Sequence, residues 1–239
     1  MRKTFGKYLG RFALVNLAAF ILFYTSSYIL MNDAVEYVRY FIGEAIDFAL
    51  PVVTAALIAM ATARRGCATL IAVAAAIGRL VYLYPAMYLE FVVNQNLNSI
   101  DSLLMSIPFS IGFALIELLY SMLLIFLIQL IGCKMAQRHG ISFEKAVDCA
   151  DSPFDFSNEF VMSVFIAGVI SFIINFTMEI IDAVTFLTEF GSSYQMGEII
   201  FIAVSFIMIL ADLLLTQVVT FKVKKEIYKS TSEVKNAKL

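Results

Sequence analysis

Carboxylates stand inside otherwise apolar stretches of this 239-residue sequence, at spacings that place them on single helix faces. In "NFTMEIIDAVTF", Asn175, Glu179 and Asp182 are four and then three residues apart, and "GEAIDFALP" repeats the device with Glu44 and Asp47. Positions i, i+4 and i+7 share one face of a helix, so each set forms a polar stripe. Tyr40, Pro51 and Thr54 extend the stripe of Glu44 and Asp47. Thr69, Arg79, Tyr82 and Glu90 make a third, flanked by Ala72, Ala75 and Ala76. Glu117 with Ser121, and Ser205 with Asp212 and Thr216, give two more.

Such groups can bind a proton, a cation or an amine. Seven acids (Glu44, Asp47, Glu90, Glu117, Glu179, Asp182 and Asp212) face one basic residue at comparable depth, Arg79, with Arg39 near the rim. Pairing within the chain neutralises at most two of them. The others must be protonated, hydrated or met by a cation from outside. Arg79, Glu117 and Asp212 form the expected central cluster, with Glu44, Asp47, Glu179 and Asp182 as an outer vestibule. The competing reading makes the same charges interfacial polarity and inter-helix clamps.

Catalytic patterns are missing. There is no G-x-S-x-G, and the one histidine, His139, lies outside every apolar stretch, so a Ser/His hydrolase lacks its base. No H-E-x-x-H and no phosphate-cradling glycine pattern occurs. Cys67, Cys133 and Cys149 include no C-x-x-C, and with His139 their spacing suits neither zinc nor a disulfide framework. The chain is expected to be no enzyme and to carry no cofactor or metal; nothing in it suits nucleic acid.

The elements that position these residues follow from composition. At 61% hydrophobic residues and a mean hydropathy of +0.87, the chain has more apolar surface than a soluble fold of this length can hide. A spanning helix takes about 20 apolar residues. Six stretches qualify, at 12–31, 36–62, 67–92, 103–132, 160–187 and 197–221. They predict an all-α, polytopic, six-transmembrane-helix bundle forming one membrane domain over 1–239. The basic start followed by an apolar run resembles a signal peptide, but the run is too long and lacks a small-residue cleavage site, so it reads as a retained first span. The E-x-I-D pairs both fall toward the same face, which argues against an inverted repeat.

Lys and Arg set the orientation. Fifteen of the seventeen fall before the first span, at Arg64 and Arg65, at Lys134, Arg138 and Lys145, or in the tail from Lys222. The intervening loops hold none. The positive-inside rule then puts both termini, the loop 133–159 and the tail 222–239 in the cytoplasm, in a plasma (inner) membrane. Within that loop, "SFEKAVDCA" is expected to form a short helix started by Ser142, and "DSPFDFS" a turn. The segment otherwise reads as a solvated connector.

The functional expectation is a transporter or channel for a cation, a proton-coupled solute or an amine. Its alternative is a non-transporting scaffold or partner-dependent subunit, such as a permease-type subunit. Besides the lipid bilayer, the expected partners are a cation or small cationic solute and a second copy or partner subunit. Arg79 is expected to pair with Glu117, since both lie at one depth and a guanidinium cannot shed its proton.

Overall fold

A computed structural model of the chain describes residues 2–29, 65–93, 95, 97–190 and 195–236. These residues hold six helices and no strand. They are α1 (Arg2–Ile29), α2 (Arg65–Val93), α3 (Ser99–Arg138), α4 (Phe143–Cys149), α5 (Glu159–Phe190) and α6 (Gln195–Asn236). All except the seven-residue α4 are long and apolar enough to cross a membrane, over Phe5–Thr25, Thr69–Val93, Ser99–Arg138, Glu159–Thr185 and Ile202–Lys222. The span expected at 36–62, with Glu44 and Asp47, lies outside the described residues.

Helix ends follow local chemistry. Asn98 caps α3: its Oδ1 accepts from the Ile100 and Asp101 amides at 3.1 and 2.9 Å, while its Nδ2 donates to the Asp101 carboxylate. At the other end Gly140 takes φ of +69°. The Ile141 amide then reaches back to Ala136 O at 3.0 Å and the Gly140 amide to Gln137 O at 3.1 Å, the paired bonds of a Schellman stop. No atom lies within 4 Å of a Cβ built on Gly140, so the position is constrained by conformation alone. Gly140→Ala should therefore cost about 1–2 kcal/mol, and Gly140→Asn less, measured as thermal unfolding in one detergent. Equal stability of all three proteins would remove the left-handed stop.

The described residues fall into two compact units, which divide α3 after Leu123. In the first, α1 and α2 run parallel. Phe12 meets Gly78, Phe20 meets Tyr82, and the Tyr24 hydroxyl donates to Ala86 O at 3.4 Å. The first part of α3 runs antiparallel to α2, with Phe91 on Phe109 and Ala86 in one cluster with Ala114. In the second unit α5 and α6 are antiparallel. Phe172 and Phe176 pack on Phe206, and Leu213 fills the space above Gly168. The cluster of Ile128, Ala146, Val147, Phe160 and Val164 joins the end of α3 to α4 and α5.

Polarity on these helices is inverted relative to a water-soluble fold. On α3 up to Ser121 the buried face is Ser102, Ser106, Ser110, Ala114 and Ser121, while Leu104, Ile111, Ile116 and Leu119 are exposed. On α1 the stripe Tyr8, Phe12, Asn16 and Ala19 is buried, and Leu14, Leu17, Ile21 and Leu22 point out. Apolar patches of this extent are rare on soluble monomers, whereas hydrocarbon solvates them without penalty. Small inward residues also let helix backbones approach closely, as in membrane bundles.

Candidate functional site

The polar interior of the first unit is built on one turn of α2. The helix needs a small residue where it meets α1, and Gly78 supplies it against Phe12, with Ala72, Ala74 and Ala75 buried in the turns before. Arg79 follows directly and is turned toward α3. Its Nε lies 3.5 Å from Glu117 Oε2, an ion-pair distance rather than a short hydrogen bond. The two side chains are only 9% and 12% exposed. Its Cζ also sits 4.6 Å from the centroid of the Tyr82 ring, a cation–π geometry that strengthens as water is excluded. Tyr82 is held in turn by Phe20 of α1, edge to face at 6.3 Å.

Asn16 belongs to the same level, one turn beyond Phe12 and one before Phe20 on α1. It is 3% exposed, its Nδ2 donates to Phe12 O at 2.8 Å, and its Oδ1 has no hydrogen-bond partner among the described residues. Sequence spacing overlooked it, because a single amide in an apolar run makes no stripe. The serines at 102, 106 and 110 were overlooked too, although their four-residue repeat is legible. Ser110 and Ser106 turn their hydroxyls back onto Ser106 O (2.6 Å) and Leu103 O (2.9 Å), so they act as compact spacers.

Of the remaining expected acids, those with described side chains lie on α2 and α5. Glu90 and Thr69 are exposed near the ends of α2, and so leave the inward stripe assigned to them, although Ala72 and Ala75 lie on its buried side. Asn175 and Glu179 are half-buried along one face of α5, with Asn175 Nδ2 3.4 Å from Ser171 Oγ, while Ile173, Ile174, Met178 and Ile181 are exposed. Ala183 is buried one turn after Glu179. The side chains of Asp182 and Asp212 are outside those described; Asp212 belongs to α6 in the second unit, and Arg79 and Glu117 to the first. Glu44 and Asp47 lie outside the described residues.

No family model, curated protein or solved structure matches this chain. Function has to be read from the residues alone.

The second unit has polar structure where the sequence suggested a connector. Ser142 does start α4, its Oγ accepting from the Lys145 amide at 3.3 Å. However, α3 continues to Arg138, and Ala136, Ala146, Val147, Ala150, Asn158 and Glu159 are buried within a segment whose other residues are mostly exposed. The cause is a set of side chains that satisfy its backbone. Asn158 caps α5 through its Oδ1, with the Phe160 amide at 3.0 Å, and its Nδ2 donates to Ala146 O at 2.9 Å. His139 Nδ1 lies 2.5 Å from Glu159 Oε1, tying the end of α3 to the start of α5. Among the described residues no three His, Cys, Asp or Glu side chains converge on a point, so no metal centre is formed by them. Gln217 of α6 crosses to α5, donating to Val161 O at 3.0 Å.

Proposed function

We propose that this protein is a non-enzymatic, six-span membrane subunit, in which the Arg79–Glu117 pair fastens helices together and lines no passage. The observation that carries the reading is the closure of that pair. Arg79 is buried and Glu117 largely so, they face each other at ion-pair distance, and the guanidinium is covered by the Tyr82 ring, although its Nη1 has no hydrogen-bond partner among the described residues. A conducting or transporting cation site keeps its charges accessible to water or to the moving ion, whereas a clamp satisfies them internally. Solute passage remains the second reading, favoured by Asn175 and Glu179 along the half-buried face of α5.

Purified protein in liposomes separates the two. Dye and electrode measurements with sodium, potassium, protons and small amines should give no flux above that of protein-free vesicles. Flux that Glu117→Gln abolishes would overturn the clamp and restore transport.

Six crossings of a plasma (inner) membrane, with both termini cytoplasmic, complete the proposal. The parallel arrangement of α1 and α2 supports it, since the chain must return to its starting side between Ile29 and Arg65. The charge bias supports the orientation. In a background lacking the native cysteines, Gln95→Cys should react with an impermeant maleimide in intact cells. Ser152→Cys should react only after permeabilisation. The reverse pattern would invert the topology.

A further inference from the structure

The segment between α3 and α5 is fastened to three helices by three kinds of contact. On α3, the Phe143 ring lies over Gly132 and occupies the place of a side chain there. On α5, Asn158 holds Ala146 O, and Ala146 and Val147 are packed with Phe160 and Val164. On α6, Lys224 is only 5% exposed, and its Nζ donates to Ala150 O at 2.5 Å and to Asp148 O at 3.4 Å. Those carbonyls belong to the last turn and C-cap of α4, where a helix has acceptors to spare and favours a cation. Just beyond, Pro153 borders a half-open cavity of about 10 Å³ with Val161 and Val164 of α5 and Gln217 and Phe221 of α6 in its walls. That volume holds one water at most.

We propose that α4 and residues 150–155 form a lid over this end of the α5–α6 groove, and that Lys224 is the catch that keeps it shut. The ties to α3 and α5 come from helices adjacent in the chain. Lys224 comes from a residue 74 positions away, so it reports the position of α6 to the lid. A helix of seven residues is far below the roughly 12–15 that sustain helicity alone, so α4 persists through its ties. Segments held this way open locally before the whole fold does. Displacement of α6 along α5 draws Nζ away from both carbonyls, frees the end of α4, and opens the groove above Gln217.

Hydrogen exchange read by mass spectrometry on the full chain in nanodiscs tests the catch. Amides 143–150 should exchange about tenfold faster or more in Lys224→Met than in the unaltered protein, with Lys224→Arg close to the latter. Unchanged protection in Lys224→Met overturns the proposal. The unaltered protein gives a second reading that needs no variant. A lid requires amides 143–150 to open in a smaller event, with weaker denaturant dependence, than amides 160–167 of α5. A single shared opening of both segments overturns it equally.

Discussion

Glu117→Gln should lower the unfolding free energy by about 3–5 kcal/mol, the cost typical of breaking a buried ion pair from one side. The reason lies in what remains. The Arg79 guanidinium stays charged at any accessible pH, stays buried, and loses the carboxylate 3.5 Å from its Nε. The Tyr82 face offsets part of the loss, about 1–2 kcal/mol for a desolvated cation–π contact. The double replacement Arg79→Met with Glu117→Leu should recover most of the stability, since apolar residues of similar volume remove both charges together. Denaturant titration in a single detergent, following helicity, compares the three proteins. If Glu117→Gln unfolds at the same midpoint as the unaltered protein, the pair is not the clamp described above.

Gly78→Ala should be the more damaging of two chemically identical changes. Its new Cβ would lie 2.5 Å from Phe12 Cβ, 3.1 Å from Phe12 C and 3.2 Å from Ala13 N. Two of those three atoms are backbone, so relief requires α1 itself to move. Overpacking of this kind costs about 1–3 kcal/mol. Gly112 of α3 provides the control, because a Cβ there meets nothing within 4 Å. Gly112→Ala should be neutral or stabilising by up to about 1 kcal/mol, from helix propensity alone. Thermal unfolding of the two variants side by side decides the matter. A Gly78→Ala protein as stable as Gly112→Ala would mean that α1 and α2 do not touch there.

The helices and the pair were legible because each follows from a cost that has one remedy. Uninterrupted apolar runs must be helical in lipid, since no other local structure satisfies the backbone. A buried guanidinium needs a carboxylate, and depth alone selected Glu117. Lys224 was illegible for the opposite reason. By sequence it is one of six lysines in a basic tail, and only the docking of α4 distinguishes it. His139 likewise gave no signal, since its spacing from Cys133 and Cys149 is irregular, and its partner Glu159 is twenty residues on and is brought near only by the folding of the segment that holds α4. Glu90 misled by spacing: its register places it with Arg79 and Tyr82, but near the end of α2 the same face reaches the surface. Helical periodicity gives direction and says nothing about depth.

The parallel contact of α1 with α2 also sets a schedule for synthesis. Phe12 and Gly78 are 66 residues apart, so at about 5–20 residues per second α1 precedes its partner by roughly 3–13 s. An α1 that enters a bilayer on synthesis would, during that interval, turn the face meant for α2 to lipid. An amide carried there would ordinarily call for a companion helix. Asn16 meets part of that need at once, because its Nδ2 bond to Phe12 O closes within its own turn and exists as soon as α1 is helical, which leaves the Oδ1 as the atom that a companion would have to satisfy.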